Sequence, residues 1–221
     1  MGLDIYVGPL TRYYAGTWEK LGHHLCEHHE TKDPKIVAGA VRDWQNELGQ
    51  GLKMKVSWPE DGELPYWTDR PDWEGWGALL LLAAFETCPD KRSSDTAVSL
   101  AKFNDDPAVI AAREKRGGEY SSLLLGAEWW LPLETAPKVF AADDVARNVR
   151  RMARVATLRD ELQRLNQATL KLSENDLLAA RNSAPPSPES SLEEAAKFGF
   201  AVLLDLTEKA ITHNQPLLLV Y

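Results

Sequence analysis

The chain contains 221 residues, of which 44% are hydrophobic and eight are tryptophan, so it can bury a substantial core in one or two domains. Its 25 basic and 33 acidic residues give a formal charge of -8, which argues against nucleic acid as a general partner. Two cysteines without C-x-x-C spacing, no secretory leader and no apolar run of roughly 18 residues favour a cytoplasmic protein with reduced thiols and no membrane attachment.

The first predicted element is a short strand from Leu3 to Val7, which ends at Gly8. Alternation places its apolar residues on one face and Asp4 with Tyr6 on the other. In a central strand Asp4 would need a buried partner, for which Arg12 is a candidate. In an edge strand Asp4 would lie in water.

Two helices are predicted next, one from Thr17 to Glu30 and a second that begins at Pro34 after an Asp33 cap. The second ends at Gly49. Its apolar residues recur at helical spacing and predict a face that packs on the core: Val37, Val41, Trp44 and Leu48.

The first helix carries four of the five histidines, and its HLCEH segment has the H-x-x-E-H order of inverted zinc peptidases. In that motif two histidines bind the metal and the glutamate activates water. A helical projection brings His24, Glu27 and His28 together and places Cys26 and His29 elsewhere. The sequence therefore predicts His24 and His28 as zinc ligands and Glu27 as the catalytic base.

A zinc ion needs a third ligand, and at the comparable distance downstream the chain offers Asp105 and Asp106 in place of the peptidases' glutamate. The structural alternative needs no metal, because histidines in the last turn of a helix complement its negative end.

An aromatic, turn-rich segment from Val56 to Trp76 predicts a structured loop. Rigid aromatic faces beside carboxylates suit a sugar, a peptide or a protein surface, and the candidate binding residues are Trp58, Tyr66, Trp67 and Trp73. The alternative is a loop that covers one end of the core. Asp72 then caps a helix that is apolar on every side from Ala78 to Phe85 and ends at Cys88, which predicts the central helix of the fold.

The middle of the chain predicts a short helix from Pro107 to Lys115 and three short strands, at Ser121 to Leu125, Glu128 to Leu133 and Lys138 to Ala141. Phosphate-binding glycine motifs and the G-x-S-x-G motif are absent, which lowers the expectation of a nucleotide enzyme or a serine hydrolase.

After Asp144 the apolar spacing predicts a long amphipathic helix to Leu165, with a hairpin as the alternative for its first part. In a helix, four arginines would share one face and form a candidate anion-binding stripe: Arg147, Arg150, Arg151 and Arg154. The alternative is a solvated face paired with nearby acids.

We expect a main domain over residues 1–182, a Pro/Ser-rich connector at 183–191 and a C-terminal helix and strand at 192–221 that pack back on the main domain. Ser191 and Glu194 form a capping box for that helix. The apolar end from Leu217 to Tyr221 predicts a strand that joins the sheet or packs on a partner chain. The fold class is α+β, with mixed α/β as the alternative, in which helices pack on a small mixed sheet of N-terminal, central and C-terminal strands.

The residues from Met1 to Tyr14 read MGLDIYVGPLTRYY, which resembles the start of an uncharacterised bacterial protein family with no assigned activity. The order of WWLP at 129–132, Val139-Phe140 and the segment from Leu158 to Asn166 is similar to the middle of that family. The resemblance implies a bacterial origin, brings no catalytic residues and does not include the histidine-rich segment. It also suggests that residues 149–152 are extended, with a helix beginning near Thr157.

Acidity, abundant tryptophan, a proline-rich connector and the lack of a complete catalytic constellation favour a non-enzymatic binding protein whose partner is another protein. An immunity or antitoxin-like role fits this profile. One alternative is a zinc-dependent hydrolase built on the H-x-x-E-H helix, and the other is glycan or small-molecule binding at the tryptophan-rich loop. Only the hydrolase hypothesis requires a cofactor.

Overall fold

A computed structural model of the chain describes residues 2–19, 32–92 and 100–221. Its strands are β1 (Asp4–Val7), β2 (Trp67–Asp69), β3 (Trp129–Leu131), β4 (Val139–Asp143), β5 (Val149–Arg154) and β6 (Leu217–Val220). Its helices are α1 (Leu10–Ala15), α2 (Pro34–Leu52), α3 (Asp72–Thr87), α4 (Pro107–Glu114), α5 (Ser121–Leu124), α6 (Val155–Leu165), α7 (Glu174–Arg181) and α8 (Leu192–Thr212).

The strands form one mixed sheet in the order β2-β1-β6-β3-β5-β4, in which only β3 and β5 are parallel. The C-terminal strand β6 lies between β1 and β3, so the apolar end of the chain is buried by pairing on both of its edges. The prediction of an α+β fold with N-terminal, central and C-terminal strands is confirmed.

Both faces of the sheet are covered by helices, because the central strands are apolar on both sides. Ile5 and Trp130 point into a core formed with α3, α6 and α8. Tyr6 and Trp129 point the other way, into a second core with α1 and α2. The predicted face of α2 packs into this second core, and α2 ends at Leu52, three residues beyond the predicted Gly49.

The helices α3 and α8 cross at the centre of the larger core. They approach closely because Gly75 lies against Gly199, where an added Cβ on Gly199 would meet the carbonyl oxygen of Gly75 at 2.5 Å. The apolar stretch of α3 is buried on every side, as predicted for the central helix. Cys88 ends α3, as predicted, and is fully buried. Asp72 is the first residue of α3, and Pro71 occupies the capping position that was predicted for Asp72.

The strand β1 is an interior strand, and Asp4 is buried at 6% exposure. Arg12, the candidate partner, does not contact Asp4. The Nε of Arg70 donates to the Asp4 carboxylate at 2.8 Å. Arg12 instead donates to the carbonyl oxygens of Thr17 and Leu64.

Ser121–Leu124 is a short helix, which corrects the predicted strand. The carboxylate of Glu161 accepts hydrogen bonds from the amides of Ser122 and Leu123, at 2.9 and 3.1 Å, and so satisfies the open amides at the start of α5. This contact spans about 40 residues of sequence and outweighs the local strand preference.

The long helix predicted from Asp144 to Leu165 is also wrong in its first half. Residues 149–154 form β5, paired with β4 in a hairpin, and the helix begins at Val155. The hairpin alternative, and the extended segment suggested by the family resemblance, describe this region correctly.

The helix predicted from Thr17 to Glu30 falls mainly outside the described residues. Gly16 has a left-handed conformation (φ 71°) that ends α1, and residues 17–19 are not helical. The connector at 183–191 contains no helix or strand, and the predicted capping box of Ser191 and Glu194 is present. None of the described helices has the length and apolarity needed to cross a membrane.

Candidate functional site

The predicted zinc site, His24 and His28 with Glu27 as base, lies outside the described residues. Within residues 2–19, 32–92 and 100–221, no three histidine, cysteine or acidic side chains converge as a metal site would require. The hypothesis of a zinc hydrolase therefore stays a prediction.

The four aromatic candidates do not form one surface, since the sheet separates them into two pairs. Trp58 is buried beside Trp44, and Tyr66 stacks on Tyr6 with ring centroids 6.1 Å apart. Across the sheet, Trp67 contacts the ring of His213 at 4.4 Å, and Trp73 lies 5.7 Å from the ring of Tyr221. Packing in or against the two cores therefore explains why most of these aromatic side chains are present in the segment.

The four arginines do not form a helical stripe, because three of them lie on β5 and alternate between its faces. Arg150 bridges Asp144 and Glu128, with distances of 3.0 and 2.9 Å. Arg147 occupies the hairpin turn and pairs with Glu47 on α2.

Two of the arginines contact main-chain carbonyls. Arg151 donates to Leu125 at 2.9 Å and Arg154 to Glu134 at 3.2 Å. No carboxylate in the described part of the chain lies within ion-pair distance of Arg151. The extended backbone is thus the reason that the predicted stripe does not form.

Glu60 and Glu161 are half-buried and buried carboxylates with the raised pKa that often marks an active site. Burial is the main cause of the raised pKa in both. Glu60 accepts hydrogen bonds from the amides of Leu10 and Thr11 and from the indole of Trp58. The carboxylates of Glu60 and Glu161 thus each accept hydrogen bonds from the amides at the start of a helix, which indicates a structural role.

Within residues 2–19, 32–92 and 100–221, β4 is the last strand of the sheet, and one of its sides has no neighbouring strand. The hairpin turn is closed by the amide of Asp144, which donates to the carbonyl of Asn148 at 2.8 Å. This bond determines which residue pairs between β4 and β5 are hydrogen-bonded to each other. Because antiparallel pairs alternate between bonded and non-bonded positions, the main-chain groups of Val139, Ala141 and Asp143 point away from β5.

One of these outward groups is occupied, since the indole of Trp44 donates to the carbonyl of Asp143 at 2.6 Å. Nothing in the described part of the chain pairs with the outward main-chain groups of Val139 and Ala141. We call these groups the β4 edge. Their side chains and that of Phe140 are small or apolar, as in a strand that accepts another strand.

A groove of about 300 Å³ runs between α2 and β4, beside the β4 edge. We call it the α2–β4 groove. Trp44, Leu48 and Leu52 line it from α2, and Phe140 and Ala142 line it from β4. The ion pair between Glu47 and Arg147 also belongs to its lining. An apolar side chain of a bound segment would find a partly enclosed, apolar surface there.

The hairpin that carries the β4 edge is well fixed. Asp144 is 1% exposed, and its carboxylate accepts hydrogen bonds from the amides of Ala146 and Asn148 and from Arg150, at 2.8, 3.0 and 3.0 Å. A strand edge that is already ordered loses little conformational freedom on binding.

The hairpin is also basic within an acidic chain. Residues 138–154 contain five basic side chains and two acidic ones, Asp143 and Asp144. Lys138 and Arg151 are exposed. Arg147 and Arg150 are paired with acidic side chains, so it is the charge of Lys138, Arg151 and Arg154 that favours an acidic segment, although the net charge of the chain is -8.

Sequence reasoning found the strand near Lys138 but missed that it ends the sheet. The order of strands depends on pairings between distant segments, such as β6 with β1, and the local pattern contains no signal for it. Short apolar residues between Lys138 and Asp143 were the only available indication of an edge.

No protein-family model, curated protein or solved structure matches this chain.

Proposed function

We propose that the protein is a non-enzymatic interaction protein that binds an extended segment of another protein as an additional strand on β4. The observation that carries this proposal is the β4 edge, where Val139 and Ala141 present main-chain donors and acceptors without partners in the described part of the chain. Main-chain hydrogen bonds of this kind supply affinity in strand addition.

The α2–β4 groove supports the proposal by offering specificity. Alternate side chains of an added strand point to the same face as Phe140 and Ala142. An apolar residue at such a position would contact Trp44 and Leu48. Residues on the opposite face would lie near Arg151, so the preferred segment carries acidic side chains there. An immunity or antitoxin-like role in the cytoplasm is consistent with this kind of binding.

The experiment is a selection of peptides from a displayed library of 12-residue segments, with the purified full chain as the target. Enriched peptides are then measured by calorimetry against the wild-type protein, Ala141→Pro and Ala141→Thr. Proline removes the outward amide, and its ring obstructs a neighbouring strand, whereas threonine keeps the amide. We expect acidic peptides with apolar residues at alternate positions, and a loss of affinity of about tenfold or more only in Ala141→Pro.

Two outcomes would contradict the proposal. One is a set of enriched peptides that bind wild type and Ala141→Pro with equal affinity. The other is a selection that enriches no peptide, because an open β edge beside an apolar groove should retain some extended ligand. Circular dichroism of both variants serves as the control for folding.

A further inference from the structure

A second cavity lies on the opposite side of the sheet from the α2–β4 groove, between the start of α3 and the end of β6. Its volume is about 340 Å³, and its apolar wall includes Trp73, Trp76, Leu80, Phe103, Leu123 and Tyr221. This size is at the lower end of the range for small-molecule sites. Trp76 and Phe103 are each 4% exposed, so this part of the wall is fixed by packing.

The described lining of the cavity includes one cationic residue, Arg113 of α4. Its Nε donates to the carbonyl of Leu124 at 2.9 Å and its Nη2 to Oδ1 of Asn104 at 2.7 Å. These two bonds fix the guanidinium, and an arginine has five donors in all. No carboxylate among the described residues lies within ion-pair distance of Arg113, which distinguishes it from Arg147 and Arg150.

Among the described residues, the electrostatic surroundings of Arg113 also lack a balancing charge. Burial, and then the positive charge of Arg151, lower the pKa of Arg113. The acidic residue that lines the cavity in the described part of the chain is Glu128, whose carboxylate already accepts hydrogen bonds from Arg150 at 2.9 Å and from the hydroxyl of Tyr221 at 3.2 Å. An anion placed beside Arg113 would therefore stabilise a charge that the described fold leaves uncompensated.

We propose that this cavity binds a small organic carboxylate whose aromatic or aliphatic body lies against the apolar wall and whose carboxylate accepts hydrogen bonds from Arg113. A planar guanidinium with free donors matches the two oxygens of a carboxylate. The volume accommodates a body of one or two rings. The inference is independent of strand addition at β4, since the two sites share no residue.

The test uses three probes, indole-3-acetate, phenylacetate and hexanoate, titrated into the full-length wild-type protein and followed by ligand-observed NMR and tryptophan fluorescence. Indole-3-acetamide is the matched neutral ligand, because it keeps the ring and lacks the charge. We expect at least one of the three carboxylates to bind. Where indole-3-acetate binds, indole-3-acetamide should bind about tenfold more weakly.

The matched variants are Arg113→Gln and Arg116→Gln, which remove the same charge from the last turn of α4 and from a position two residues beyond its end. Arg116 is exposed and does not line the cavity. Arg113→Gln should weaken the bound carboxylate about tenfold or more, and Arg116→Gln should leave it unchanged. Arg113→Lys, which keeps the charge, should recover part of the affinity.

Absence of binding by all three carboxylates at about 10 mM would overturn the proposal, since a preformed site with a charge-assisted contact should exceed that affinity. Equal binding of the acid and the amide to wild-type protein would overturn it as well. This comparison needs no variant and remains decisive if Arg113→Gln does not fold.

Discussion

The strand β2 ends the sheet on one side with three residues, and β4 ends it on the other side with five. At β2, the carboxylate of Asp69 accepts a hydrogen bond from Arg181 of α7 at 3.1 Å, and the ring of Trp67 packs on His213 at the end of α8. At β4, the outward main-chain groups of Val139 and Ala141 have no partners in the described part of the chain.

The difference between the two edges shows which of them the fold protects. A short edge strand with a charged residue and neighbouring helices is the usual defence against unwanted strand pairing. The β4 edge has no charged side chain at Val139 or Ala141, and the neighbouring helix α2 bonds only to Asp143 and leaves an apolar groove beside Ala141. An edge left open in this way is expected where a partner is to bind, and the predictions below test whether the two sides of the sheet differ as proposed.

The largest expected effect concerns the helix pair that supports the β2 side. Gly199→Ala would force a Cβ to within 2.5 Å of the Gly75 carbonyl oxygen, so α8 must move away from α3. We expect a loss of about 3 kcal/mol in the free energy of unfolding, measured by urea denaturation.

The matched control is Gly39→Ala on α2, where an added Cβ meets nothing within 4 Å. It should raise the free energy of unfolding by about 0.5–1 kcal/mol, because alanine is the better helix former. If both substitutions stabilise the protein, the close crossing of α3 and α8 is incorrect.

The second prediction compares an ion pair near each edge. Arg181 contacts both Asp69 and Asp205 and is half-buried, whereas Arg147 and Glu47 are exposed. Arg181→Ala should cost about 1–2 kcal/mol, because it leaves Asp69 without its cation and leaves Asp205 with Lys209 alone. Arg147→Ala should have a much smaller effect, because an ion pair in solvent contributes little to stability. Equal losses in thermal or urea denaturation would contradict the contrast between the two edges.

The third prediction concerns pH. Burial raises the pKa of Glu161, so its contribution to stability is present at low pH and decreases as the pH rises above about 4.5. The hydrogen bonds from Arg147 lower the pKa of Glu47, so its contribution is present above that value and decreases as the pH falls. Relative to Glu161→Gln, wild type should therefore lose stability with rising pH, and relative to Glu47→Gln it should lose stability with falling pH.

Urea denaturation of the three proteins between about pH 3.5 and 7 measures both slopes. If the difference in stability between wild type and variant changed in the same direction with pH for both variants, the assigned environments of Glu161 and Glu47 would be contradicted.

The smallest expected effect on stability is that of Ala141→Pro, which should change the free energy of unfolding by less than about 0.5 kcal/mol. Its amide points away from β5, so the substitution removes no bond of the ladder. Ala142→Pro removes an amide that faces β5 and should cost about 3 kcal/mol or more. Equal costs for the two proline variants would show that the edge is assigned to the wrong residues.

Helices and strands could be predicted from the sequence where the local apolar pattern agrees with the burial of the same residues in the fold. The apolar face of α2, the fully apolar α3 and the capping box of α8 are local signals, and each lies in the element that it predicted. The segment after Asp144 was ambiguous, because Val145, Val149 and Met152 fit a helical period although pairing with β3 and β4 makes residues 149–154 a strand.

The candidate sites could not be predicted in the same way, because they depend on contacts between distant segments. The partner of Asp4 is Arg70, 66 residues away, and no pattern near Asp4 indicates it. The open side of β4 follows from the order of six strands, and the cavity at Arg113 combines residues from α3, α4 and β6 with those near Phe103.

The most direct test of the β4 edge is amide hydrogen exchange by NMR, with and without a peptide enriched in the selection. In the free protein the amides of Val139 and Ala141 should exchange fast while those of Phe140 and Ala142, which face β5, are protected. Saturation with the peptide should slow exchange at Val139 and Ala141 by about tenfold or more. Unchanged exchange at these two amides in the saturated complex would contradict strand addition.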